Sequence, residues 1–379
     1  MNKESAYWIA LAHLPGWGHL KINNLIIKFY HENNLTISDF FQLSENDWKN
    51  QYGLEYKDLE DLKRAKTELP NNAFLAESLL NEGYELIPIT SPEYSKTLKD
   101  NLKAAHAPAL LYVKGNKQIM HEKSIAIVGS RNASGHSLEF TDNIAKLASK
   151  EYKVVVSGFA KGVDKQALDS AIKYKGQSII VLPQGIMTFG SGYKTYYKQI
   201  VDGDVLVLST FFPKAPWKVE LAMARNPIIY GLADEIYVAE SSDKGGTWSG
   251  VIDGLRKNRK IYVRKPDSHE NTANSLLIQK GALAVDFNGL VIHDYIPTGE
   301  SKQMSTSEES AVSYENRILG LLKTGEYAVK EILKKLQLNW PEKKLRDFLK
   351  SHKEVETINK KPIRFTMKDQ IIIQKSLFD

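Results

Sequence analysis

Six short, almost unbroken apolar runs separated by helical stretches constrain this chain more than any other feature. They are IAIV at 125–128, KVVV at 153–156, SIIVL at 178–182, DVLVL at 204–208, EIYVA at 235–239 and KIYV at 260–263. A strand with one face in water alternates apolar and polar residues. A strand covered by helices on both faces is apolar throughout. Residues 137–151 and 165–175 pattern as helices between the first runs. The alternation predicts a Rossmann-like, doubly wound, mostly parallel α/β sheet, with ligand-binding loops at the carboxyl ends of its strands.

Around this middle part (84–296) the composition changes. Residues 1–80 read as short amphipathic helices, with a Leu14-Pro-Gly-Trp-Gly18 turn typical of a helix-hairpin-helix. Residues 297–311 are polar and Ser-rich, a linker composition. Residues 312–379 pattern as three helices and a hairpin, which predicts a winged helix whose third helix carries Lys343, Lys344, Arg346 and Lys350. Such domains contact either DNA or protein. The net charge of +6 lies in this tail: from residue 311 onward 15 Lys and Arg face 9 Asp and Glu, and the remainder balances at 36 each. A basic segment on a neutral body suits nucleic acid or an acidic partner. With no cysteine, disulfides and thiolate chemistry are excluded. The nine histidines show no metal-ligand spacing. The N-terminal apolar stretch is too short to span a bilayer and lacks a cleavage signal, so a cytoplasmic protein is expected, without a membrane partner.

Three βα turns carry the candidate chemistry. The first run enters Gly129-Ser-Arg-Asn-Ala-Ser-Gly135, where Gly129 and Ser130 begin the turn and Arg131 offers a bidentate phosphate contact. This is not a GxGxxG dinucleotide fingerprint. The second run enters Ser157-Gly-Phe-Ala-Lys-Gly-Val-Asp164, in which Ser157, Gly158, Lys161 and Gly162 are candidate phosphate contacts and Asp164 caps the next helix. Near the fifth run, Lys244, Gly245, Gly246 and Thr247 form a Gly-rich helix entry that also suits a phosphate. Trp248 either stacks on a base or closes the loop as a core residue. Arg225 and Asn226 stand in the segment just before that run.

IAIVGSRNASGHS, VVVSGFAKGVDKQAL, ARNPIIYGLAD and GGTWSG occur in the order and spacing of the DNA-processing protein A (Smf) family, which this chain resembles over nearly its whole length. The resemblance implies a dimeric Rossmann-like protein that binds single-stranded DNA, without catalysis, cofactor or metal, and helps load a RecA-type recombinase in recombination or natural transformation. It assigns Gly129, Ser130 and Arg131 to one phosphate loop and Ser157, Gly158, Lys161, Gly162 and Asp164 to the second. Arg225 and Asn226 match the first two positions of the family's Arg-Asn-Arg motif. Pro227 replaces that motif's second arginine, Leu168 a usual histidine and Lys161 a usual arginine; Gly245-Gly-Thr replaces a Ser-Gly-Ser/Thr turn, and the loop from Pro183 lacks its usual form.

Two other chemistries fit a glycine-rich Rossmann edge. A nucleoside-monophosphate glycosidase would need a PGGxGT loop followed by a Glu, and KGGTWSGVID has neither the Pro nor the Glu. A nucleotide sensor, possible in defence against foreign DNA, would need only the loops.

Overall fold

A computed structural model describes residues 4–367 apart from 268–269, 294, 296–317, 337, 339–340, 353 and 359–361. The linker expected at 297–311, the start of the first tail helix at Asn316 and the start of the third at Trp340 lie outside the described residues. The chain divides into two compact units, Met1–Thr298 and Gly299–Asp379.

The first unit is built on nine strands: β1 (Glu85–Pro88), β2 (Leu110–Lys114), β3 (Ser124–Gly129), β4 (Val154–Ser157), β5 (Ser178–Val181), β6 (Val205–Ser209), β7 (Glu235–Glu240), β8 (Lys260–Arg264) and β9 (Leu283–Val285). Their order across the sheet is β1-β2-β6-β5-β4-β3-β7-β8-β9. Across the sheet from β6 to β9 all neighbours pair parallel, and only β2 runs the other way, pairing antiparallel with both β1 and β6. The six apolar runs are β3 to β8. β9 was not legible, because three residues are too few to stand out in a composition pattern.

Both faces of the parallel strands are buried, which is why their residues are apolar without alternation. Ala126, Val128, Val154, Val156, Ile236 and Val238 face one side, where the helices Lys96–His106, Val219–Leu232 and Gly246–Arg256 pack. Ile125, Ile127, Val155 and Ala239 face the other, under the helices Gly135–Lys150 and Val163–Lys173.

Residues 1–80, expected as a domain of their own, belong to the first unit. Their helices place Trp8, Leu11, Phe29 and Leu79 in one core with Tyr112 of β2, Ile180 of β5 and Val207 of β6. Six short helices cannot bury their apolar faces on each other alone, and the sheet supplies the missing surface. Leu168, at the position of the family's histidine, is buried in this same core. The Pro15-Gly-Trp-Gly18 turn is held inside the unit: Trp17 Nε1 donates to Asp61 Oδ2 at 3.1 Å, and Lys21 pairs with Asp58.

In the second unit a helical segment at 318–322 and the helices Val329–Lys335 and Glu342–Ser351 accompany three antiparallel strands, β10 (Tyr327–Ala328), β11 (Val355–Ile358) and β12 (Arg364–Met367), ordered β10-β12-β11. Ile318, Leu322, Ile332, Leu345, Leu349 and Phe365 form its core. No helix among the described residues is long and apolar enough to cross a membrane.

Candidate functional site

From β3 the chain moves outward through β4, β5 and β6, then returns to place β7 on the other side of β3. The loops after β3 and β7 therefore leave in opposite directions and open a crevice at the carboxyl edge, the usual ligand position of such sheets.

The loops after β3 and β4 are in contact. Gly129 packs so tightly that a Cβ there would lie 2.7 Å from Val163 Cγ2. Gly162 has φ +87°, and a Cβ would run into the carbonyls of Ser130 and Arg131, so only glycine fits on both counts. The Val163 amide donates to the Ser130 carbonyl at 3.2 Å. Ser130 Oγ accepts from the Asn132 amide at 3.1 Å, which folds the loop back on itself. Ser157 is buried and donates to the Ile127 carbonyl at 3.2 Å, so it joins the two strands and does not face solvent.

The loop after β7 joins them. Thr247 Oγ1 donates to the Gly129 carbonyl at 3.2 Å, and Tyr230 Oη to the Thr247 carbonyl at 3.3 Å. Gly245 has φ +89° and faces open space. Gly246 lies against Asn226, whose Nδ2 would be 2.5 Å from a Cβ at that position. Trp248 is half-buried, with part of its ring packed on the sheet core.

Arg225 and Asp164 depart from their expected roles. Arg225 is 3% exposed, and its guanidinium lies against Gly158 with Nη1 3.5 Å from Asp164 Oδ2. It therefore braces the second loop from beneath and does not reach the crevice. The helix Val163–Lys173 is capped by Gly162, not Asp164, which stands in the first turn and is 8% exposed. Burial pushes the Asp164 carboxyl above its ordinary range, and the charge of Arg225 and the Ala160 amide pull it back.

Arg131 and Lys161 are exposed and have no ion pair among the described residues. They line one cleft of about 420 Å³, with Asn132, Lys165, Gln166 and Asp169. Lys165 is already paired to Asp169 at 2.6 Å. The cleft lies where the 16-residue helix Gly135–Lys150 and the 11-residue helix Val163–Lys173 begin. Two helix starts and two cations without ion pairs thus meet at one cleft, an arrangement that suits an anion. Lys244 is exposed but does not line the cleft, and neither does Trp248.

Glu240, at the end of β7, was not singled out in the sequence. Its Oε2 accepts from the Ser134 amide at 2.9 Å and from Ser137 Oγ at 2.8 Å, fixing the end of the first loop. Partial burial opposes its charge, but these donors hold its carboxyl below the usual range. Nearby, His136 Nδ1 lies 3.2 Å from Asp267 Oδ2 and 3.1 Å from Glu270 Oε1. The trio could offer a cation one atom each, but fully buried Arg264 already neutralises Glu270 at 2.6 Å.

Comparison with known proteins agrees with this architecture. A family model for DNA recombination-mediator protein A matches residues 85–294. DNA processing protein DprA of Bacillus subtilis is 29% identical over 211 residues, covering 54% of this chain and 69% of that protein. Protein Smf of Synechocystis is 27% identical over 297 residues, covering 74% and 70%. The crystal structure of DprA from Streptococcus pneumoniae shares the fold with a TM-score of 0.62 at 23% identity, covering 74% of this chain and 94% of that one. The family match takes in all nine strands and each loop of the crevice, and on that ground the chain belongs to the DNA recombination-mediator protein A family.

Proposed function

We propose that this protein binds single-stranded DNA by its phosphates at the Arg131–Lys161 cleft and acts in DNA recombination. One observation carries the reading: two cations without partners face one cleft at which two helix N-termini converge. That arrangement recognises a phosphate and carries no base-specific donor set, so binding is insensitive to sequence. Membership of a recombination-mediator family makes DNA the natural source of the phosphate. On this reading Gly129, Ser130, Lys161 and Gly162 shape the phosphate loops, while Ser157, Gly158, Arg225, Asn226, Gly246 and Thr247 hold them in place. Lys244 and Gly245 extend the rim.

The family resemblance supports a homodimer that works in the cytoplasm with a RecA-type recombinase, as a binder and not an enzyme. The three helical segments and hairpin of the second unit support a winged-helix reading.

Fluorescence anisotropy with labelled oligo-dT, a duplex of equal length and free nucleotides, each at two salt concentrations, tests the function. Oligo-dT binding should weaken with salt, and Arg131→Ala should lower the salt slope by about 0.7 for a single lost strand contact. Saturable binding of a free nucleotide with none of oligo-dT would replace this reading with nucleotide sensing.

A further inference from the structure

The loop after β6 carries a second feature of the same edge. Phe212, Trp217, Val219 and Met223 are 40%, 51%, 56% and 45% exposed, four large apolar side chains within twelve residues. Single exposed apolar residues need no explanation, whereas four so close along one loop and helix start call for one.

This exposure is not the result of a loose loop. The Ala215 amide donates to the Phe212 carbonyl at 2.8 Å, the Gly185 amide to Ala215 at 2.9 Å and the Met187 amide to Pro213 at 3.0 Å. The Phe212 ring meets His13 edge-on at 5.5 Å. The loop is braced from two sides and still leaves the Trp217 indole in water.

Its place follows from the sheet. β6 is parallel to β5, β4 and β3, so the loop leaves at the same carboxyl edge as the phosphate loops. The helix Val219–Leu232 then leads inward, bringing Met223 beside Gly246 and Arg225 against Gly158. Lys214 and Lys218 flank Trp217, are exposed, and have no acidic partner among the described residues. An aromatic face between two free cations complements a polyanion with planar bases better than it complements an apolar protein surface.

We propose that Trp217 stacks on a base of the bound single strand, with Lys214 and Lys218 on its phosphates. The inference rests on the single-strand reading above and extends that site from β3 to β6. It supplies a stacking face more open than that of half-buried Trp248. It also adds cations at an edge where Pro227 stands in place of the family's arginine.

The test is oligo-dT anisotropy on the full chain, comparing wild type, Trp217→Ala, Trp217→Phe and Lys218→Ala, with an abasic oligonucleotide of equal length. Base–aromatic stacking corresponds to about a 5- to 150-fold loss for Trp217→Ala at unchanged salt slope, with Trp217→Phe retaining most of the affinity. Lys218→Ala should lower the salt slope by about 0.7. The abasic strand should weaken wild type by a similar factor and Trp217→Ala by much less. Trp217→Ala is on the surface and should leave the melting temperature unchanged. Wild-type binding with no effect of Trp217→Ala overturns the stacking role, as does a variant whose defect is a lost dimer in sedimentation. Failure of wild type to bind oligo-dT removes the single-strand reading itself, and this inference with it.

Discussion

The guanidinium of Arg225 occupies the space that a side chain at position 158 would need, so Gly158 and Arg225 fit only as a pair. Their contact, continued by the Arg225–Asp164 ion pair at 3.5 Å, ties the helix Val219–Leu232 to the loop that presents Lys161. Arg225 is thereby a positioning residue, and Arg131, three strands' worth of loops above it in sequence but exposed in the cleft, is the one free to meet a ligand.

The two arginines should therefore separate in their effects. Arg225→Ala leaves Asp164 buried without its cation and should cost about 3–5 kcal/mol in urea unfolding. Arg131→Ala should stay within about 0.5 kcal/mol of wild type while losing oligonucleotide affinity. The deficit of Arg225→Ala has a defined pH dependence. The unpaired carboxyl binds its proton more tightly folded than unfolded, so the loss grows as pH rises from acid to neutral and shrinks on acidification.

Gly158→Ala places a methyl group where the guanidinium lies. The arginine must leave its ion pair or the loop must shift, and either should cost about 1–3 kcal/mol, the usual range for overpacking. Thermal unfolding reads the stability. An Arg225→Ala background should reduce the added penalty of Gly158→Ala, because the colliding group is then gone.

Pro227 is exposed within the helix Val219–Leu232, one residue beyond Asn226. Pro227→Arg restores both an amide donor to the helix and a cation near the Gly246 turn. Tighter oligo-dT binding is expected, with the salt slope steeper by about 0.7. Melting temperature should rise or hold. A salt slope unchanged from wild type would show that position 227 does not face the strand.

His13 makes the junction between the N-terminal helices and the sheet sensitive to acid. Its Nε2 lies 2.9 Å from Tyr112 Oη, and burial, aided by the nearby charge of His19, lowers its pKa to about 4. The unfolded chain therefore takes up a proton that the folded chain refuses. Stability from this group is full above the ordinary histidine value of 6.5 and falls as pH drops toward 4. The decline should reach at most about 3 kcal/mol. Melting curves between those limits should flatten in His13→Gln relative to wild type.

Much of the fold and part of the site can be read without coordinates. Apolar runs without alternation require burial on both faces, and helices between them require parallel pairing, so β3 to β8 follow from local pattern alone. The glycines at the strand ends follow from the turns they must make, and Arg131 and Lys161 from their place after those glycines. The tertiary structure decided which polar and aromatic residues face outward. Arg225 and Asp164 are 61 residues apart, and nothing near either one signals that they neutralise each other in the interior. Trp217 and Trp248 each stand in polar, glycine- or proline-containing segments, yet Trp217 is 51% exposed and Trp248 is half-buried against the core. Periodicity and turn chemistry act between near neighbours and are written in order along the chain. Exposure is set by whatever distant segment packs there, and only the folded sheet brings those segments together.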